Sequence, residues 1–246
     1  MSRFFVTPEQ VGDEYITINN KQDLIHIKNV LRLDEGSEID ISDSSVWEYR
    51  SQIISISQDE ILVKILDKQH FSREPLRKVT LYQSLPKHKK MDEIIQKSIE
   101  LGVSQIIPVF TTRSLIDPKT DMDKKLQRWR KISAETVKQC QRGHVPEIGE
   151  PLTFKQTIKS LAAYDLVIFP YENEANCNIK TCLRHLQTDP EKIAIIIGPE
   201  GGFSDDEARL LTENGANSVS LGKTILRTET AGPATIAMVM YELELD

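Results

Sequence analysis

Three glycines lie within five residues at Gly198–Gly202, directly after an apolar run at residues 193–197. The run has the length of a strand that is buried on both faces of a parallel sheet. Glycine lets the backbone approach a ligand more closely than any residue with a Cβ. Ser204 and Glu207 then form a capping-box pattern for a helix. This order predicts a site for a small flat or anionic ligand at the carboxyl end of a sheet strand.

A glycine turn also occurs in proteins without a ligand, and this one matches neither a dinucleotide-binding fingerprint nor a phosphate-binding P-loop. A second segment adds to the prediction. Gly222 and Gly232 bracket residues 225–231, which favour neither strand nor helix and are predicted to form a loop. We expect Pro233 to open a final helix that ends near Leu245. Segments that break local folding rules tend to be functional.

Residues 198–204, 221–223 and 225–231 together resemble the RsmE family of bacterial ribosomal RNA methyltransferases. The resemblance implies the SPOUT class, in which the C-terminal segment is threaded through a loop to form a trefoil knot. It also implies that the knot loops bind S-adenosylmethionine in a bent shape, at the interface of a homodimer. The expected reaction is methylation of uridine N3 in 16S ribosomal RNA of the small ribosomal subunit.

The resemblance assigns the cofactor to the two glycine-bearing segments and to one upstream strand end. The predicted cofactor-binding residues are Glu172, Ile197, Gly198, Pro199, Glu200, Gly201, Gly202, Leu221, Gly222, Ile225, Leu226, Thr228 and Ala231. On its sequence context alone, Glu172 is better interpreted as a solvated loop carboxylate.

Methyl transfer from a sulfonium is an in-line displacement, so the protein must align donor and acceptor. Uridine N3 must also lose its proton, and a cation near the ring carbonyls would stabilise the negative charge. Arg227 is the candidate for that cation, and Glu229 or a water molecule is the candidate proton acceptor. Alternatively, Arg227 and Glu229 pair with each other and brace the loop.

The formal net charge of −6 argues against a nucleic-acid partner, but basic residues cluster in two segments. Residues 77–97 hold six Lys or Arg against two acids, and residues 113–142 hold nine against four. Such segregation predicts either a phosphate-facing stripe or a solvated helix face. The predicted RNA-binding residues are Lys28, Arg32, Lys87, Lys90, Arg113, Arg128 and Arg142. For Lys28 and Arg32, ordinary surface charge is an equally open interpretation.

Two patterns of secondary structure position these residues. Residues 1–72 read as short strands with one helix at residues 21–33, which predicts a small β-barrel that resembles PUA-type RNA-binding domains. Residues 73–246 alternate strand and helix, which predicts an α/β domain with a mostly parallel sheet flanked by helices. The resemblance makes this second part the SPOUT methyltransferase domain.

The composition, with 39% hydrophobic and 28% charged residues, is typical of a soluble globular protein. The sequence shows no membrane-spanning run and no signal peptide, so we expect a cytoplasmic protein without a membrane partner. Three scattered cysteines predict neither disulfides nor a metal site. Ribose 2′-O methylation and a non-catalytic role in ribosome assembly remain the alternative functions.

Overall fold

The computed structural model describes residues 3–70, 74–87, 90–114, 116 and 121–245. The chain forms two compact units. The N-terminal unit consists of Met1–Glu74 and Val137–Val145, and the C-terminal unit consists of Pro75–Thr136 and Pro146–Asp246. The sequence pattern placed a boundary at residue 72 and did not indicate that Val137–Val145 returns to the first unit.

The N-terminal unit contains a five-stranded sheet. Its strands in chain order are β1 (Arg3–Phe5), β2 (Tyr15–Ile18), β3 (Glu38–Ser42), β4 (Trp47–Ile56) and β5 (Ile61–His70). In the sheet their order is β1-β3-β4-β5-β2, with β1 parallel to β3 and the other pairs antiparallel. Alternate residues such as Ile39, Ile41 and Ile53 point into a buried apolar core.

One helical segment connects strands β2 and β3. Helix α1 (Lys21–Ile25) is capped by Asn20, whose side chain accepts hydrogen bonds from two backbone N–H groups. The chain then continues as a wider π-helical turn at His26–Val30. The prediction of a regular helix over residues 21–33 is therefore only partly correct. Arg32 has a φ of +51°, a left-handed conformation that no α-helix can include.

The C-terminal unit is built on a seven-stranded sheet in which every pairing is parallel. The strands in chain order are β6 (Lys78–Ser84), β7 (Gln105–Phe110), β8 (Glu147–Ile148), β9 (Leu152–Thr153), β10 (Leu166–Pro170), β11 (Lys192–Ile197) and β12 (Asn217–Val219). Their order is β12-β10-β11-β6-β7-β8, and β9 also pairs with β7. The predicted parallel α/β architecture is confirmed, and the threading of the knot stays a prediction.

Six α-helices lie in the described part of the C-terminal unit. They are α2 (Lys90–Glu100), α3 (Asp123–Cys140), α4 (Phe154–Ser160), α5 (Ile179–Arg184), α6 (Asp205–Glu213) and α7 (Thr228–Leu243), the last turn of α3 belonging to the N-terminal unit. Helix α2 buries its predicted apolar face, including Met91, Ile94 and Ile99. Gly102 ends it with a φ of +99°. Along the described part of the chain, no helix is long and apolar enough to cross a membrane.

Helix α7 begins earlier than the sequence predicts. Its first residue is Thr228, so residues 228–231 are helical and Pro233 lies inside the helix. Pro233 lacks an N–H and so leaves the carbonyl of Glu229 without its helical donor. Tertiary packing outweighs this cost, because Gly232 lets the helix approach the sheet. A Cβ on Gly232 would lie only 3.3 Å from Gln83 Oε1 and 3.7 Å from Ile197 Cγ1.

Candidate functional site

A cavity of about 580 Å³ opens at the carboxyl ends of β10, β11 and β12. Its walls are the loop after β10, the glycine turn after β11, and the segment that joins β12 to α7. This volume is within the range of pockets that hold small molecules and cofactors. The parallel sheet explains the convergence, since strands of one direction end at the same edge.

Every residue predicted to bind the cofactor lines this cavity. They are Glu172, Ile197, Gly198, Pro199, Glu200, Gly201, Gly202, Leu221, Gly222, Ile225, Leu226, Thr228 and Ala231, and Arg227 joins them. The sequence pattern missed neighbouring lining residues: Pro170, Tyr171, Phe203, Ser220, Lys223 and Thr224. Most of these adjoin the motif residues, so the motifs locate the cavity but do not give its full extent.

In the glycine turn, a side chain at Gly202 would clash with a neighbour, whereas one at Gly201 would not. Gly202 has a φ of +68°, and a Cβ there would lie 2.2 Å from Glu172 Oε1. Gly201 differs, because its Cβ would make an ordinary contact of 3.4 Å with Arg113 Cβ. The loop after β10 thus packs directly against the turn through the carboxylate of Glu172.

Thr228 joins the start of α7 to the two central strands. Its hydroxyl donates to the carbonyl oxygen of Gly198 at 2.7 Å and accepts from Gln83 Nε2 at 2.9 Å. Gln83 also donates to the carbonyl oxygen of Ser84 at 3.0 Å. The two glycine-bearing segments, distant in sequence, are therefore fixed to each other by side-chain hydrogen bonds.

An ion-pair network lies beside the same two segments. Lys90 Nζ is 3.2 Å from Glu200 Oε1 and 3.1 Å from Glu229 Oε2. Burial alone would favour the neutral acid, but backbone hydrogen bonding and the Lys90 ammonium outweigh it and lower the pKa of both Glu200 and Glu229. Hydrogen bonding to Glu229, only partly opposed by burial, raises the pKa of Lys90. All three groups are therefore ionised at neutral pH.

This network changes the interpretation of the two predicted catalytic residues. Among the residues that the structure describes, the ion-pair partner of Glu229 within 4 Å is Lys90, and Arg227 acts on Glu229 only as a weaker charge. This argues against the alternative in which Arg227 and Glu229 pair with each other and brace the loop. A carboxylate with a lowered pKa is a poor general base at neutral pH. Arg227, in contrast, is exposed at the cavity and precedes the first turn of α7.

Three of the predicted RNA-binding residues lie against the glycine turn. Lys90 lines the cavity itself. The backbone N–H of Lys87 donates to Glu200 Oε1 at 3.0 Å, and Arg113 Nη1 donates to the carbonyl oxygen of Gly201 at 2.8 Å. Both Lys87 and Arg113 are exposed next to a turn that lines the cavity. Sequence spacing alone gave no sign of this proximity, which depends on the order of the strands.

The other predicted RNA-binding residues do not lie at the cavity. Arg128 is exposed and pairs with Asp92 on α2. In the N-terminal unit, Lys28 donates to the carbonyl oxygen of Ser57, and Arg32 is exposed. None of these three positions conflicts with a phosphate contact.

Arg142 requires a correction. It is only 5% exposed, and its Nη2 lies 2.7 Å from Glu74 Oε2. The same carboxylate accepts hydrogen bonds from the backbone N–H groups of Gly143 and His144. A guanidinium that is buried in this way cannot face an RNA phosphate, and its role is to hold residues 137–145 on the N-terminal unit.

Over the described residues, no cluster of three or more His, Cys, Asp or Glu side chains suits a metal ion.

Comparison with known proteins agrees with this geometry. A family model for an RNA methyltransferase domain matches residues 72–240, and a model for an RNA methyltransferase PUA domain matches residues 18–66. Ribosomal RNA small subunit methyltransferase E of Bacillus subtilis is 30% identical, covering 100% of this chain and 98% of that protein. The chain belongs to the RsmE family of RNA methyltransferases. The resemblance that the glycine-bearing segments indicated is thereby confirmed.

Further members of the RsmE family and similar solved structures support the same assignment. The Synechocystis protein of this name is 31% identical over 98% of this chain and 78% of its own length. A crystal structure of ribosomal RNA small subunit methyltransferase E from Neisseria gonorrhoeae, bound to S-adenosylmethionine, matches with a TM-score of 0.84 at 27% identity, covering 98% of this chain and 97% of that one. A Legionella pneumophila methyltransferase with bound S-adenosylmethionine matches with a TM-score of 0.83 at 29% identity, covering 97% and 96%.

Proposed function

We propose that this protein transfers a methyl group from S-adenosylmethionine to N3 of a uridine in 16S ribosomal RNA of the small subunit. One observation supports this most directly: every cofactor-binding residue predicted from the RsmE resemblance lines one cavity. Membership of the RsmE family and the cofactor-bound relatives support the same reaction.

The lining of the cavity suits S-adenosylmethionine. Ile197, Leu221 and Leu226 supply apolar walls for a flat ring, and the glycines leave backbone groups accessible for hydrogen bonds. Beside Gly202 a Cβ would lie 2.2 Å from Glu172 Oε1, so glycine is what lets the turn and the loop after β10 close this side of the cavity. When bound there, the cofactor supplies an electrophilic methyl group on its sulfonium.

The chain's own residues would position the acceptor and stabilise its charge. Arg227 is an exposed cation at the cavity, and its guanidinium would donate to the uracil carbonyls as N3 loses its proton. Glu229 is held by Lys90 with a lowered pKa, so a water molecule is the better proton acceptor. Glu229 is therefore reassigned from proton acceptance to support of the site.

RNA binding is proposed to involve both domains. Lys87 and Arg113 are exposed and contact the glycine turn, so their side chains would meet phosphates near the target uridine. Residues 1–72, which include the match to the PUA model, would act as a separate RNA-binding domain with Lys28 and Arg32 as contacts. We also propose that the protein works as a homodimer in the cytoplasm, where small subunits are assembled.

The test is transfer of labelled methyl from S-adenosylmethionine to small-subunit RNA that lacks the modification, with mass spectrometry of the nucleosides. We expect methyluridine in which the label stays on the base. Label lost with the sugar would indicate ribose methylation, and RNA binding without transfer would indicate a non-catalytic factor.

The Arg227→Ala variant tests the role of the cation in this reaction. Loss of one stabilising donor typically lowers kcat about 100-fold. Arg184→Ala is the matched control, because Arg184 is also an exposed arginine but pairs with Glu242 and is not part of the cavity lining. Equal rates for both variants would remove Arg227 from the mechanism.

A further inference from the structure

Lys90 contacts both the glycine turn and the start of α7, two segments that the fold brings together. It lies in the first turn of α2, whereas Glu200 lies in the turn after β11 and Glu229 in the first turn of α7. One ammonium contacts an oxygen of each carboxylate, at 3.2 Å and 3.1 Å. Helix α2 therefore connects the two segments that form most of the cavity wall.

The pairing is more protected than an ordinary surface ion pair. The side chains of Lys90, Glu200 and Glu229 are 29%, 28% and 15% exposed. By comparison, Lys97 and Glu93 on the same helix pair at 3.6 Å with exposures of 55% and 62%. Water screens the inner network less, so a change in its charges has a larger effect.

Lys90 offsets part of the negative charge of the network, because one ammonium lies between two carboxylates. Two carboxylates that share one ammonium repel each other when that ammonium is removed. Arg227 also acts on Glu229 as a nearby charge, and backbone N–H groups, including that of Lys87, also donate to Glu200. Neither contacts both carboxylates, so neither can replace the connection that Lys90 makes.

We propose that Lys90 is a positioning residue of the cofactor site, which acts by holding Glu200 and Glu229 together so that the glycine turn and the start of α7 keep the spacing that the ligand needs. This inference depends on the proposed function only in the identity of the ligand. It differs from the RNA-binding role that the sequence predicted for Lys90.

The first experiment measures binding of S-adenosylhomocysteine by calorimetry. We expect Lys90→Met to weaken binding at least tenfold at pH 8, and Lys90→Arg to stay within about threefold of the wild type. Lys97→Met removes an exposed lysine from the same helix and should leave affinity unchanged. Equal affinities for Lys90→Met and Lys97→Met would overturn the proposal.

Two rescues separate positioning through the carboxylates from simple loss of a ligand contact. Adding Glu229→Gln to Lys90→Met removes the repulsion, so binding should recover to within about threefold of Glu229→Gln alone. Lowering the pH from 8 to 5.5 should also strengthen binding to Lys90→Met relative to the wild type, because one carboxylate becomes protonated. A double variant as weak as Lys90→Met, with no recovery at low pH, would contradict the mechanism.

A ligand-free measurement keeps this inference distinct from the proposed function. In thermal unfolding, Lys90→Met should lower Tm in the wild-type background and have a smaller effect in the Glu229→Gln background. If the wild-type protein does not bind S-adenosylhomocysteine, the proposed function fails, and this unfolding cycle decides the role of Lys90. If Lys90→Met lowers Tm by the same amount in both backgrounds, the proposed role of Lys90 is wrong.

Discussion

The hydroxyl of Thr228 donates a 2.7 Å hydrogen bond to the carbonyl oxygen of Gly198. This bond links the first residue of the last helix to the first residue of the glycine turn. Because Thr228 is only 5% exposed, water cannot easily replace the bond if the hydroxyl is lost. The cavity thus owes part of its shape to a contact between residues that the sequence places 30 positions apart.

Replacing Thr228 with valine keeps the volume of the side chain and removes both hydrogen bonds. Gly198 loses a donor and Gln83 loses an acceptor, so we expect the free energy of unfolding to fall by about 1–3 kcal/mol. Affinity for S-adenosylhomocysteine should fall as well, as measured by calorimetry. Thr228→Ser keeps the hydroxyl and serves as the control. A Thr228→Val protein that binds like the wild type would show that the bond does not shape the cavity.

The glycine turn should tolerate a methyl group at Gly201 but not at Gly202. Gly202→Ala places a Cβ in a left-handed conformation and displaces the Glu172 carboxylate, whereas Gly201→Ala makes only an ordinary contact with Arg113. The backbone strain alone costs about 1–2 kcal/mol. We expect calorimetry to show a marked loss of S-adenosylhomocysteine binding for Gly202→Ala and an affinity near that of the wild type for Gly201→Ala. The reverse order would contradict the described shape of the turn.

The Arg142→Met substitution should lower the stability of the fold and should not remove a direct RNA contact. Removing the guanidinium leaves the carboxylate of Glu74, whose side chain is only 11% exposed, without its ion-pair partner, and breaking a buried pair in this way typically costs about 3–5 kcal/mol. Thermal unfolding should show a clear fall in Tm. Arg128→Met, which loses an exposed pair with Asp92, is the control and should unfold close to the wild type. A stable Arg142→Met protein that has lost RNA binding would restore the original prediction.

Glu74 should make part of the stability depend on pH. Burial opposes its ionisation, but hydrogen bonds and the charge of Arg142 outweigh burial and hold its pKa below the ordinary value of 4.5. A lowered pKa stabilises the fold at pH values above 4.5, and this contribution is lost as the pH falls through the folded-state pKa. The difference in Tm between the wild type and Glu74→Gln should therefore be large at pH 7 and shrink below pH 4.5. A constant difference would show that the charge of Glu74 is not responsible.

The sequence predicted the parts of this fold that depend on local patterns. The buried strand at Lys192–Ile197 and the amphipathic helix α2 are visible in the spacing of apolar residues. The strands β8, β9 and β12 have only two or three residues, too few for a period to be recognised. Local propensity also placed the start of α7 too late, because the hydrogen bonds of Thr228 to Gly198 and Gln83 at the start of the helix are tertiary contacts.

The sequence predicted which residues line the candidate site, but it did not predict which charged residues pair with each other. The motifs that carry the RsmE resemblance identified the walls of the cavity, since each motif is a short local stretch of sequence. The partners of charged residues are not local: Glu229 pairs with Lys90, and Arg142 pairs with Glu74. Only the order of strands and the return of residues 137–145 bring these charges together, so the sequence assigned Lys90 and Arg142 to RNA.

The position of β6 has a consequence for synthesis of the chain. This strand pairs with β7 on one side and with β11 on the other, and β11 is translated more than a hundred residues later. Until then, a nascent polypeptide holds a strand that is buried in the folded protein but still has one open edge, which is a template for aggregation. We expect such chains to depend on chaperones on the ribosome, the same particle whose small-subunit RNA is the proposed substrate.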